Sequence, residues 1–120
     1  NSYTSLLNVD LPVWTDKDSE SVELVKVFSY YPENKGFRLQ RVVVKAQGNA
    51  TIFLNLDGRA SNSAGCIVNA SHEVTCTLIP QSLLFPDTVI GRDFKTANLK
   101  VVAPANGGVK INKIYYTTED

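Results

Sequence analysis

The 120-residue sequence predicts an all-β fold, an antiparallel β-sandwich of the jelly-roll type with about seven or eight short strands in one domain. Three observations carry this reading. Residues 39–57, LQRVVVKAQGNATIFLNLD, alternate apolar and polar side chains around a Gln47-Gly48-Asn49 turn signal. Cys66 and Cys76 bracket a second stretch with β-formers outside and turn-formers in the middle. Clusters rich in Gly, Pro, Asn and Ser recur between short β-forming runs along the rest of the chain.

Taken in order, residues 1–5 are polar and read as a frayed end. Residues 6–14, LLNVDLPVW, place Leu7, Val9, Leu11 and Val13 on one face, and Pro12 puts this strand at an edge or near a strand end. The charged stretch 15–20, TDKDSE, is a turn. Residues 21–31, SVELVKVFSYY, support two readings. Leu24, Phe28 and Tyr31 follow helical spacing, with Asp18 or Ser19 as a cap, whereas the β-branched and aromatic content favours a strand. A strand is preferred, a single short helix being the alternative. Residues 32–36, PENKG, form a loop.

In the 39–57 stretch, a three-residue loop pairs position i with 96 minus i. Val44 then faces Ile52, Val42 faces Leu54 and Gln40 faces Leu56, while the opposite, mostly polar side pairs Arg41 with Asn55, Val43 with Phe53 and Lys45 with Thr51. A two-residue loop would mix apolar and polar side chains on both faces, so burial selects the first register. Leu39 is apolar on an odd number and Val42 and Val44 on even ones, which calls for a bulge near Gln40-Arg41. Residues 58–65, GRASNSAG, are a small-residue loop. A turn centred on Ser71 sets Val68 against Val74 and Cys66 against Cys76. Such directly opposed Cα atoms lie about 4.5 Å apart, within reach of a disulfide.

Residues 77–79 prolong that arm to Pro80. Residues 81–93 hold Leu83, Leu84, Phe85, Val89 and Ile90 around Pro86 and are expected to cover the core as a crossover loop or short strand. Residues 94–103 form a strand with Leu99, Val101 and Ala103 on one face, 104–108 turn the chain, and 109–117 close it with Val109, Ile111 and Tyr115 inward.

Composition narrows the function classes. Hydrophobic residues make up 43% and charged residues 20%, values of a globular protein. Twelve basic and twelve acidic side chains cancel, which removes the long-range attraction expected of a nucleic-acid or anionic-membrane partner. No apolar run approaches the roughly 20 residues of a membrane-spanning helix. Methionine is absent even at position 1, which points to a processed or excised chain. A Cys66–Cys76 disulfide implies an oxidising location: secreted, periplasmic or cell-surface.

The closing stretch Gly108-Val-Lys-Ile-Asn-Lys-Ile-Tyr-Tyr116 resembles the last strand of galactose-binding-like jelly rolls, a group that includes many carbohydrate-binding modules. Residues 108–115 of this nine-residue stretch match an alternating G-x-x-I-[DN]-x-I-aromatic pattern. The resemblance implies a jelly-roll fold and no binding residue. The acidic calcium motif that several of those families carry near the N-terminus has no counterpart here.

Catalysis finds little support. His72 is the sole histidine and sits in a predicted turn, and both cysteines are spent in a bridge, so no nucleophile–base pair assembles. No phosphate-binding loop or dinucleotide fingerprint occurs. The chain is therefore expected to be no enzyme and to need no cofactor and no metal. Asp16, Asp18 and Glu20 alternate and could offer oxygen ligands to calcium, but an EF-hand would need Gly and Glu where Ser21 and Val27 stand. Asn49-Ala50-Thr51 and Asn69-Ala70-Ser71 match the N-glycosylation acceptor, at two predicted hairpin turns.

Aromatic side chains are the ligand-binding candidates: Trp14, Tyr30 and Tyr31 beside loops, and Tyr116 with Tyr115 near the C-terminus. Sugar rings stack on exposed aromatic faces. The expected function is a non-catalytic binding or adhesion module that recognises carbohydrate. The alternative is a structural or assembly domain of an extracellular or envelope complex, such as a fibre or pilus, whose edge strands or aromatic side chains pair with another subunit.

Overall fold

The computed structural model describes residues 2–7, 14–15, 20–23, 38–104 and 107–119. Among these, eight strands form one sheet with antiparallel strand pairing: β1 (Ser2–Leu7), β2 (Trp14–Thr15), β3 (Glu20–Glu23), β4 (Arg38–Leu56), β5 (Arg59–Ala60), β6 (Cys66–Leu78), β7 (Ala97–Val102) and β8 (Gly108–Glu119). No helix occurs among the described residues, and none there is long and apolar enough to cross a membrane.

The expected hairpin over 39–57 is corrected to one 19-residue strand, β4. Edge occupancy explains why. The first half of β4 is flanked by β8 (Arg38↔Glu119 through Asn49↔Gly108) and by β6 (Val42↔Leu78 through Ala46↔Val74). Its second half is flanked by β6 (Gly48↔Ala70 through Ile52↔Cys66) and by β7 (Thr51↔Val102 through Leu56↔Ala97). A strand has two edges, so nothing remains through which the halves could pair with each other. The inward face nevertheless agrees with expectation, since Val42, Val44, Ile52, Leu54 and Leu56 are all buried. Mapping i onto 96 minus i keeps odd and even positions apart, so a hairpin and a continuous strand bury the same side chains.

β4 cannot be straight. Nineteen extended residues would span about 60 Å, whereas the molecule's longest dimension is 44 Å. In β6 the Cα atoms of Cys66 and Cys76 are 5.9 Å apart, where ten straight steps would separate them by about 33 Å. The two strands therefore bend together. The bend falls at the register shift between Ala46 and Gly48, opposite residues 71–73, which have no partner on β4. Gly48 takes φ +124°, and a Cβ there would sit 2.2 Å from the Gly108 carbonyl oxygen. A side chain would collide with backbone at this point, so the position requires glycine.

The Cys66–Cys76 disulfide is present. The expected cysteine hairpin is a bent strand laid along β4, and the bridge ties the rung Ile52–Cys66 to the rung Val44–Cys76. Inward residues of β4, β6, β7 and β8 merge into one buried cluster, among them Leu78, Leu99, Val101, Val109, Ile111 and Ile114.

Smaller features follow the same logic. The bulge expected near Gln40-Arg41 lies there: Leu39 pairs with Thr118 and Arg41 with Thr117, so Gln40 is the extra residue. In β8 a second irregularity skips Asn112, because Lys45 pairs with Lys113 and Ala46 with Ile111. The phase inverts, and burial runs Val109, Ile111, then Ile114, Tyr116, Thr118. Tyr115, expected inward, is half-buried, and Tyr116 takes the core position.

Of the frayed end expected over residues 1–5, residues 2–5 are instead part of β1, which pairs with β8 from Ser2↔Glu119 to Leu7↔Ile114. Backbone pairing does not require apolar side chains. The strand expected over 6–14 survives at its ends, in β1 and β2, while 8–13 lie outside the described residues. Glu20–Glu23 is a strand on β7, and the rest of the 21–31 question lies outside them too. The loop 58–65 holds an unforeseen strand, β5, joined to β4 by Asp57-Gly58. Both residues have positive φ, 51° and 75°, the geometry of a type I′ hairpin turn.

Candidate functional site

Two surface features stand out. The first is a groove of about 680 Å³ between the start of β4 (Arg38 to Arg41) and the irregular segment 79–88. That segment is anchored at both ends. Ser61 carbonyl accepts the N–H of Gln81 and of Ser82, the latter at 3.0 Å. At the far end Leu39 N–H donates to the Thr88 carbonyl at 3.0 Å, and the Thr88 hydroxyl donates back to the Leu39 carbonyl at 2.9 Å. Thr88 takes φ 51°, unfavourable for a β-branched residue, and these paired bonds hold it there.

Between the anchors, side chains divide. Phe85 turns inward and packs edge-on against Phe94, ring centroids 6.3 Å apart, with Val89 and Ile90 buried beside it. The segment thus covers the core, as expected. Leu83, Leu84 and Ile79 do not join it: they are 98%, 57% and 47% exposed. The Ser82 hydroxyl accepts the Leu84 N–H at 3.2 Å, and the Ser82 carbonyl accepts the Phe85 N–H at 3.3 Å. This tight local turn points the two leucines outward.

The electrostatics are local. Asp93 accepts the N–H groups of Asp87 (3.1 Å) and Val89 (3.0 Å), and Arg92 bridges it to Asp87 at 3.2 and 2.8 Å. Burial alone would raise the Asp93 carboxyl, but those N–H donors and the Arg92 guanidinium together hold it below the ordinary aspartate value of 3.8. Asp57 behaves likewise: desolvation is outweighed by the N–H groups of Lys95 and Thr96, and its pKa is lowered. At the groove, Arg38 pairs with Glu119, whose second oxygen accepts from the Gln40 side-chain amide. Arg41 is exposed and has no ion-pair partner among the described residues.

The second feature is a shallow depression of about 620 Å³ at the bend, lined by Asn49, Asn69, Ser71 and His72 with Gly48 and Gly108. Asn49 and Asn69 form a direct cross-strand pair and are both exposed. They sit inside long strands rather than at the predicted hairpin turns. His72 is exposed, but it lies within β6 rather than in the predicted hairpin turn.

Of the aromatic candidates, Trp14 lies in β2, where its backbone pairs with Val109 and Thr15 pairs with Gly108, beside the depression. Its side chain, and Tyr30 and Tyr31 altogether, lie outside the described residues. Tyr116 lies in the core, 8% exposed, and presents no open stacking face. Asp16 and Asp18 are outside the described residues, and Glu20 begins β3. No group of three or more His, Cys, Asp or Glu side chains suited to a metal gathers among the described residues. The exposed leucines were not among the sequence candidates. Their signal was Pro80 and Pro86, which flank Leu83-Leu84-Phe85 and deny that run a place inside a sheet.

No family model and no curated protein sequence matches the chain. Among solved structures it is similar to the coat protein of Tobacco streak virus, determined as a dimer. The likeness has a TM-score of 0.53 at 5% sequence identity and covers 98% of this chain and 85% of that one. At that identity the likeness is one of fold alone.

Proposed function

We propose that this chain is a non-catalytic assembly domain that associates with further copies of itself through the apolar rim of the groove. One observation carries the reading: Ile79, Leu83 and Leu84 stand exposed together beside the groove, Leu83 at 98%. Full burial of such side chains is worth about 1.5–3 kcal/mol each. Apolar surface gathered on one short segment marks a contact site more often than scattered residues do. The coat-protein likeness supports the same reading, since the protein in that structure forms a dimer. The disulfide supports a secreted, periplasmic or surface location. The bend of β4 and β6, which brings two halves of one sheet together, supports a jelly-roll-like sandwich as the finer description of the fold. Sedimentation over a concentration series tests the proposal. Wild type is expected to gain mass with concentration, and Leu83→Asp/Leu84→Asp to stay monomeric with unchanged circular dichroism. A wild type that stays monomeric throughout overturns it.

A second reading, carbohydrate binding, is favoured by the strand of Trp14 lying against Gly108–Val109 at the polar depression. It also keeps the resemblance of 108–116 to carbohydrate-binding jelly rolls in play. Trp14→Ala should then abolish retention by a glycan array without lowering the melting temperature. A blue-shifted, quencher-shielded indole in the unliganded protein would count against it.

A further inference from the structure

Three features of the groove at the start of β4 jointly specify a ligand. The bulge leaves Gln40 without a cross-strand partner on β8. Its Nε2 donates to Glu119, which fixes the amide orientation. Its Oε1 is thereby left buried, with no hydrogen-bond partner among the described residues. A buried acceptor in that condition carries a desolvation cost, and a shift of the Gln40 side chain toward the groove it lines would let a bound donor relieve it.

Charge is the second feature. Among the described residues, three charged side chains line the groove: Arg38, Arg41 and Asp87. Arg38 is neutralised by Glu119 and Asp87 by Arg92. Among the described residues, the one uncompensated charge is the cation Arg41, a planar donor suited to a carboxylate. Apolar surface is the third. Leu39 and Phe85 are buried at the base, and Ile79 and Leu83 stand exposed on the rim.

We infer that the groove binds an extended peptide segment of a partner protein, one that carries an aspartate or glutamate within two positions of a large aliphatic residue. A backbone N–H of the segment satisfies Gln40 Oε1, its carboxylate meets Arg41, and its aliphatic side chain packs against Leu83 and Ile79. A neutral sugar could satisfy Gln40 but would leave Arg41 and the apolar rim unmatched. The inference rests on reading this face as a protein contact and adds the chemistry of what occupies the groove.

Random-background peptide pools with one fixed leucine test it. One pool carries aspartate within two positions of the leucine, one carries lysine there and one serine, and binding to the intact protein is read by biolayer interferometry. The aspartate pool is expected to bind about tenfold more tightly than the lysine pool, the size of effect that one exposed charge reversal produces. Arg41→Ala should bring the pools to near parity, Gln40→Leu should weaken all three, and Lys110→Ala, at an exposed site far along β8, should change nothing. Pools that bind alike or not at all, or a preference that survives Arg41→Ala, overturn the inference. If sedimentation still shows self-association lost in Leu83→Asp/Leu84→Asp, the assembly reading stands while the peptide inference falls. If both fail, the face is no protein contact.

Discussion

The bent sheet and the segment 79–96 are both rich in apolar residues, yet they use them differently. Along β4 every even position from Val42 to Ala46 and from Ala50 to Leu56 is buried. The pleat leaves each side chain two choices, and the core face takes the apolar set. In the segment, Leu83 and Leu84 are exposed while Phe85, one residue on, is buried. No ladder enforces alternation there. Side-chain direction follows from a few hydrogen bonds, those of Ser82, Thr88 and Asp93. Periodic backbone pairing thus protects against exposure, and its absence lets a protein keep aliphatic side chains on its surface.

The sharpest test of the sheet half is Val44→Asp against Lys45→Asp. Val44 is fully buried, and a charge there should cost about 4 kcal/mol or more, enough to unfold many domains. Lys45 lies on the other face with its amine on Thr75 Oγ1 at 2.6 Å, and its replacement should change stability by about 1 kcal/mol or less. Equal effects in urea denaturation would break the account of the inward face. Within the segment, Phe94→Ala should lose about 3–5 kcal/mol, and Leu83→Ala should stay within roughly 0.5 kcal/mol of wild type. A costly Leu83→Ala would show that this side chain packs against the protein in solution and would break the contrast with the sheet.

Removing the bridge by Cys66→Ser/Cys76→Ser should cost about 2–3 kcal/mol by loop entropy. Because the tie joins two rungs of the bent sheet, hydrogen exchange should quicken along β6 before the segment responds. The smallest expected effect sharpens the segment half. The Asp93 carboxyl titrates lower in the folded chain than in the unfolded one. Its contribution is therefore complete above the unfolded value and is lost as pH falls through the folded one. Asp93→Asn should cost about 1 kcal/mol at neutral pH and flatten the decline in stability below about pH 4. An unchanged acid limb in the variant would show that Asp93 does not organise the segment.

Much of this fold was legible in residues alone, and the limits are instructive. The inward set of β4, the Cys66–Cys76 pair and the bulge at Gln40 all follow from alternation and spacing, because these report which side of the backbone a residue occupies. The Asp57-Gly58 turn was missed by reading 58–65 as a plain loop, although Asp-Gly is a strong hairpin signal. Whether Gln47-Gly48-Asn49 reverses the chain or only bends it was not legible. Its turn chemistry suits both, and the outcome rests on β6, β7 and β8 occupying both edges of β4. Likewise the irregularity at Asn112 turns Tyr116 inward, and it exists only in the pairing of β8 with a distant strand. Local pattern determined which side chains are buried. Long-range hydrogen bonding decided the path of the backbone, and with it which aromatic and aliphatic groups remain at the surface.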